Sequence, residues 1–315
     1  MLVSQAWREH ETNAVEIAKI NLALDTYLKA PPDPNPRYSE GRMHEGIARH
    51  FYPYPVDDNL TDKLSRKSYE AYVLENDYIK ITIIPELGGR IYSALDKTNQ
   101  YEFVYRNIVI KPSLIGMVGS WISGGLAWGF PHHHGLLTMA PFEHCSVENS
   151  DGSKTLWMAK TDHRHRMRMR LGITVRPGSS YIEAEVFLDN RTPLVNSFLF
   201  WANLAVKADP SHQIFFGPSV EYACDHHKRA LIRWSVGEGS YGGVDYAGVD
   251  VSFWRKIKKP VSFFCWDCRD DFMAGYRHAA QAGTAYFGDH HILPGREGVG
   301  TWRESRGKRL AGFAH

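Results

Sequence analysis

The stretch RMRMRLGITV, Arg166 to Val175, decides the fold class. Met167, Met169, Leu171 and Ile173 fall on one side of a two-residue period, and Arg166, Arg168 and Arg170 fall on the other. A helix cannot separate these sets, whereas a strand with one dry and one wet face does so at once. The neighbouring runs repeat the pattern: KTLWMAK (154–160) precedes it and YIEAEVFLDN (181–190) follows. Turn residues at Asn149–Gly152 and Pro177-Gly178 punctuate them. The arginine stripe reads as the solvated face of this sheet rather than as a polyanion site.

The same reading extends in both directions. YEAYVLEN and YIKITIIPEL are joined at Asn76-Asp77, a hairpin signal, and RIYSALDK and YEFVYRN follow. Downstream, NSFLFWANLAVKA (196–208) is apolar almost throughout and suits a strand covered on both sides. VSFFCWD, FMAGYRH and TAYFGDH close the series. Near the start, Ile20, Leu22 and Leu24 alternate with polar residues, which again favours a strand, and PPDPNPRY (31–38) marks an extended arm. So many strands with hardly a helix predict an all-β sandwich or barrel.

Composition narrows the function classes. The chain has 315 residues, 43% hydrophobic and 13% aromatic, enough for a sizeable core. Lys plus Arg number 37 against 35 Asp plus Glu, so neither nucleic acid nor an anionic membrane is indicated as a partner. No signal peptide or transmembrane segment is visible, and only four cysteines occur, which together point to a cytoplasmic, reducing setting. Cys265-Trp-Asp-Cys268 lacks the second ligand pair of a zinc ribbon and reads as ordinary thiols on a strand.

Seven of the 16 histidines gather in three places: Phe130-Pro-His-His133-His134, Asp225-His226-His227 and Asp289-His290-His291. Three chemistries suit them: metal ligation, acid–base catalysis near neutral pH, and hydrogen bonding to sugar hydroxyls beside stacked tryptophans. A fourth reading has them capping loop ends. None of the clusters carries zinc-type spacing, so neither a metal nor another cofactor is expected. The glycines at Gly88-Gly89 and Gly124-Gly125 lack phosphate-loop spacing and read as tight turns or close backbone approach.

The ordered runs LENDYIKITIIPELGGRIYSALDKTNQYEFVYRN, VIKPSLIGMVGSWISGG, FPHHH, NRTPL, FLFWANLAV, CDHHKRA and DHHILPG resemble the bacterial DUF5107 family, from about residue 20 to about residue 296. That family is carbohydrate-associated. The resemblance implies a galactose mutarotase-like antiparallel β-supersandwich over 66–296, behind an N-terminal arm of residues 1–65 with short strands. It further implies chemistry at a sugar's anomeric carbon, either mutarotation or glycoside hydrolysis, on a small-molecule or oligosaccharide ligand. His133 and His134 are the expected acid or ligand pair. Asp225, His227, Asp289 and His290 are expected to bind hydroxyls, Trp121, Trp128 and Trp201 to wall the hollow, and Glu86 and Arg90 to lie near its rim. The three clusters should then converge on one concave face.

The chain departs from the family pattern in two regions. Ala127, Gly129 and Gly135 stand where an acidic residue, an Asn and an Arg are typical. Residues 297–315 read as a basic, atypical tail outside the family, so the chain looks truncated before the strands that supply a C-terminal carboxylate base. These departures favour the alternative, a non-catalytic or degenerate sugar binder.

Overall fold

The computed structural model describes residues 14–34, 54–114, 119–132, 137–225, 230–300 and 312–314. Among them there is no α-helix, only strands, turns and two short 3-10 turns, so the all-β expectation holds. The chain forms two compact units that interleave in sequence. Unit 1 comprises residues 1–101, 109–121 and 130–199, and unit 2 comprises 102–108, 122–129 and 200–315.

Unit 1 opens with an antiparallel meander: β1 (Glu16–Lys29), β2 (Leu60–Glu75), β3 (Ile79–Ile84) and β4 (Arg90–Asp96). The expected division after residue 65 falls inside β2, because β1 pairs with β2 along nearly its whole length and is thus part of the sheet. One short parallel contact, Asp25–Thr26 against Val109–Ile110, departs from the antiparallel rule. A second antiparallel sheet runs Glu143–Glu148, Lys154–Asp162, Met167–Val175, Ile182–Asn190. Here the deciding stretch behaves as read: Met167, Met169, Leu171 and Ile173 are buried. The wet face is stitched by Arg168 to Glu143 at 2.9 Å and Arg170 to Asp189 at 3.3 Å. Exposed ion pairs of this kind add little stability.

Two features lock the sheets of unit 1 together. Gly88 and Gly89 turn the chain with φ of 75° and 66°, and a Cβ on Gly88 would lie 2.5 Å from the Thr138 carbonyl oxygen. Glycine is required there both by φ and by close approach. Asn76 ends β2 with every amide valence used. Its Nδ2 donates to the carbonyls of Arg176 and Ser179, both at 2.7 Å, and its Oδ1 accepts from the Tyr78 and Ile79 amides at 2.9 Å.

Unit 2 holds a sheet in the order Leu231–Arg233, Tyr222–Cys224, Val261–Trp266, Glu297–Gly300, Gly312–Ala314, Trp201–Val206, Leu126–Gly129. A three-stranded sheet, His212–Phe216, Phe272–Arg277, Ala282–Phe287, belongs to the same unit. Ile214, Ala223, Ile232, Tyr241, Val251 and Phe263 are among its core. Two expectations change here. The strand expected in NSFLFWANLAVKA starts only at Trp201, and Phe198 and Leu199, in unit 1, stay half exposed without a ladder. Apolar content alone does not supply a partner strand. The expected tail also enters the sheet: Glu297–Gly300 pairs with Val261–Phe264 and with Gly312–Ala314.

Candidate functional site

In unit 2 the site grows from the hairpin Tyr222–Cys224/Leu231–Arg233 and the strand beside it. Asp225 closes the hairpin turn, its Oδ1 accepting the Ala230 amide at 3.1 Å. Cross-strand register sets Cys224 beside Phe264, and Phe264 beside Glu297. Glu297 is a buried carboxylate, 3% exposed. Trp201 stands edge-on to Phe264 with ring centroids 6.4 Å apart. The Tyr241 hydroxyl donates to the Ser262 carbonyl at 2.6 Å. Burial pushes the Tyr241 phenol far up, and the negative charges of Asp225 and Glu297 add to that push, as does Cys224. Asp225 and Glu297 therefore both act on the same buried phenol.

The Asp289-His290-His291 cluster, also in unit 2, is organised by its own carboxylates. His290 donates its backbone amide to Asp271 Oδ1 at 2.9 Å, and its Nδ1 lies 2.8 Å from the same oxygen. His291 makes the equivalent pair to Asp289 Oδ1 at 2.8 and 3.0 Å. The His290 side-chain bond chiefly lowers the Asp271 carboxyl pKa, and the His291 backbone bond chiefly lowers that of Asp289. One donor atom from each of Asp289, His290 and His291 lies within 4.8 Å of the others, so these three form a group able to approach a cation. Their hydrogen bonds are those of a capped turn. Buried Arg296 braces that turn by donating to the carbonyls of Gly288 at 2.6 Å and Gly295 at 2.9 Å.

Unit 1 carries a constellation that the sequence pattern does not single out. Asp162, 3% exposed, holds His165 Nδ1 at 2.5 Å and accepts the Arg164 amide at 3.0 Å. Burial raises the Asp162 carboxyl, but the His165 bond and the Arg164 charge outweigh it, so its pKa is lowered. His132, from the Phe130-Pro-His-His-His134 motif, meets the His165 ring edge-on at 5.2 Å. A buried carboxylate holding an imidazole is a pairing that acid–base chemistry can use. Its signal in the sequence was Asp162-His-Arg-His165 next to the stripe.

The remaining expected residues divide plainly. His133, His134 and His227 lie outside the described residues, so the convergence of the three clusters does too. Glu86 forms a half-exposed ion pair with Lys67. Arg90 is not at a rim: it is 2% exposed, and burial lowers its guanidinium pKa to about 9. Arg90 opens β4 directly after the Gly88-Gly89 turn, and polarity patterns do not reveal its burial. Trp121 is buried, and Trp128 stacks on Phe200 in the core at 6.3 Å. Of the three expected walls, Trp201 alone is partly exposed. Ala127 is buried opposite Asn203.

A nearly helix-free chain of antiparallel sheets is the class that this geometry defines. Residues 47–310 match the family model described as a domain of unknown function, DUF5107. The chain belongs to that family, and the match reaches past residue 296, into the stretch expected to lie outside it. Among solved structures it is similar to a TPR-domain containing protein from Parabacteroides distasonis, with TM-score 0.78 and 18% identity. That alignment covers 96% of this chain and 51% of the other, so the chain spans about half the length of that relative. It is also similar to the Slr1438 protein from Synechocystis, with TM-score 0.52 and 11% identity, over 78% of this chain and 84% of that one. A galactose mutarotase-like protein from Clostridium acetobutylicum aligns with TM-score 0.48 and 10% identity over the same shares. Among the described residues, no helix is long and apolar enough to cross a membrane.

Proposed function

We propose that this protein is a carbohydrate-active protein of mutarotase-like type that acts at a sugar's anomeric carbon through a carboxylate and a histidine. The observation that carries the reading is buried Glu297, whose cross-strand neighbour Phe264 stands edge-on to Trp201. In mutarotation the carboxylate takes the proton of the anomeric hydroxyl while an imidazolium protonates the ring oxygen. The C1–O5 bond then breaks, and reclosure on the other face returns both protons. In hydrolysis two carboxyl groups divide the acid and base or nucleophile roles, and Asp225 supplies the second. The ligand in this reading is a small sugar or an oligosaccharide, with no nucleic-acid or membrane partner. A cytoplasmic setting belongs to the same reading, supported by four free cysteines.

The test is anomer exchange followed by proton NMR on α-D-glucose and α-D-galactose, together with release from aryl glycosides. Glu297→Gln keeps the volume and removes the base. It is expected to slow whichever reaction is found by about 100-fold or more, the usual cost of losing a positioned acid or base. Sugar binding with no turnover in the native protein would select the non-catalytic alternative.

A further inference from the structure

The cross-strand partners of unit 2 set two rows of side chains on one face of the sheet. Leu231, Cys224, Phe264 and Glu297 form the first row, and Arg233, Tyr222 and Trp266 form the next. Ile232, Ala223 and Phe263 point the other way, into the core. Along the first row Cys224 and Glu297 are buried and Phe264 is half-buried. In the second row Tyr222 is 39% exposed and Trp266 53%.

Strand geometry sets the spacing. Residues i and i+2 share a face, so Phe264 and Trp266 stand about 7 Å apart along their strand. Tyr222 and Trp266 sit about 5 Å apart across the ladder. With Trp201 edge-on to Phe264, the rings form a path from the buried carboxylate to open solvent.

The flanks of the path fit a neutral occupant. Arg233 is paired with Glu238 at 2.6 Å and Arg269 with Asp267 at 2.6 Å, and exposed Glu221 beside Tyr222 adds a negative charge near Arg233, so the flanks carry no surplus positive charge. Phosphorylated and other anionic ligands gain nothing there. Two rings are also far short of the roughly 800 Å² per side that a stable protein partner needs. A pyranose suits the strip: its C–H face lies on an aromatic ring while its hydroxyls reach guanidinium and carboxylate groups at the edge.

We infer that Trp266 and Tyr222 form an outer subsite for a neutral oligosaccharide, so that the ligand is a chain of at least two pyranose units. The inference rests on the carbohydrate reading and narrows its substrate class. The inner sugar occupies the Glu297–Phe264 row and the outer one stacks on the exposed pair.

Calorimetric titration of the full chain tests it. The probes are glucose and galactose, compared with cellotetraose, maltotetraose and β-1,4-galactotetraose. At least one tetrasaccharide is expected to bind 10-fold or more tightly than its monomer. In the Trp266→Ala/Tyr222→Ala double variant that gain disappears, while monomer affinity and the thermal midpoint stay as they were. Both side chains are exposed, so the fold has little to lose. A tetrasaccharide that binds no tighter than its monomer, or a gain that survives the double substitution, overturns the subsite and leaves the carbohydrate reading standing. Should none of the five sugars bind, the carbohydrate reading falls and the subsite falls with it.

Discussion

Replacing Gly88 by alanine is expected to destabilise the protein by about 4 kcal/mol, near the top of what single substitutions do. Two costs combine. The residue sits at φ 75°, where an L side chain is disfavoured by roughly 1 kcal/mol. Its new methyl would also lie 2.5 Å from the Thr138 oxygen and 2.6 Å from the Leu137 oxygen, both backbone atoms that cannot swing aside. The Gly88 amide meanwhile donates to the Ala140 carbonyl at 3.0 Å, so retreat breaks a hydrogen bond. Gly178 provides the control. It has φ 66° with nothing within 4 Å of a Cβ, so Gly178→Ala should cost only about 1 kcal/mol. Urea unfolding of the two variants beside the parent measures both, and equal losses would show that φ alone matters at Gly88.

The second large effect is acid sensitivity seated at His212. The ring is 2% exposed and lies edge-on to Trp254, with centroids 6.3 Å apart. Burial lowers its pKa from 6.5 to about 4, with Arg277 pushing the same way and Asp209 opposing. In the unfolded chain the imidazole takes a proton near pH 6.5, whereas in the fold it stays neutral until about pH 4. Stability is therefore whole above pH 6.5 and declines as pH falls toward 4, by roughly 3 kcal/mol across the window. Unfolding free energies at intervals from pH 7.5 to 4 should show that slope, and His212→Gln should flatten it. Identical slopes in parent and variant would move the acid sensitivity to other groups.

Alternation was the most legible signal, because a half-wet strand writes its two faces into consecutive residues, as Met167–Ile173 do. The hairpin at Asn76-Asp77 was legible for a similar reason, since turn residues interrupt the apolar period. Burial of a whole face is written nowhere. Arg90 and Trp128 looked like ligand-facing groups because an arginine or tryptophan has the same identity whether its face is covered or open. Glu297 was missed because the glycines of Glu297–Gly300 hide the alternation of a strand that register alone reveals. His165 and Asp162 were missed because the four turn residues 163–166 bring them together at a strand end, which residue order alone does not show.

Asn76 has a consequence for how unit 1 opens. One side chain ties the β2–β3 turn to carbonyls 100 and 103 residues further along the chain. Neither segment can leave its place without stranding amide valences of the other, and a buried unmet hydrogen bond costs about 1–3 kcal/mol. The two turns are thus one cooperative opening unit despite their separation in sequence. In native-state hydrogen exchange, the amides of Tyr78 and Ile79 should become labelled together with those flanking Ser179, and Asn76→Ala should release all of them at once.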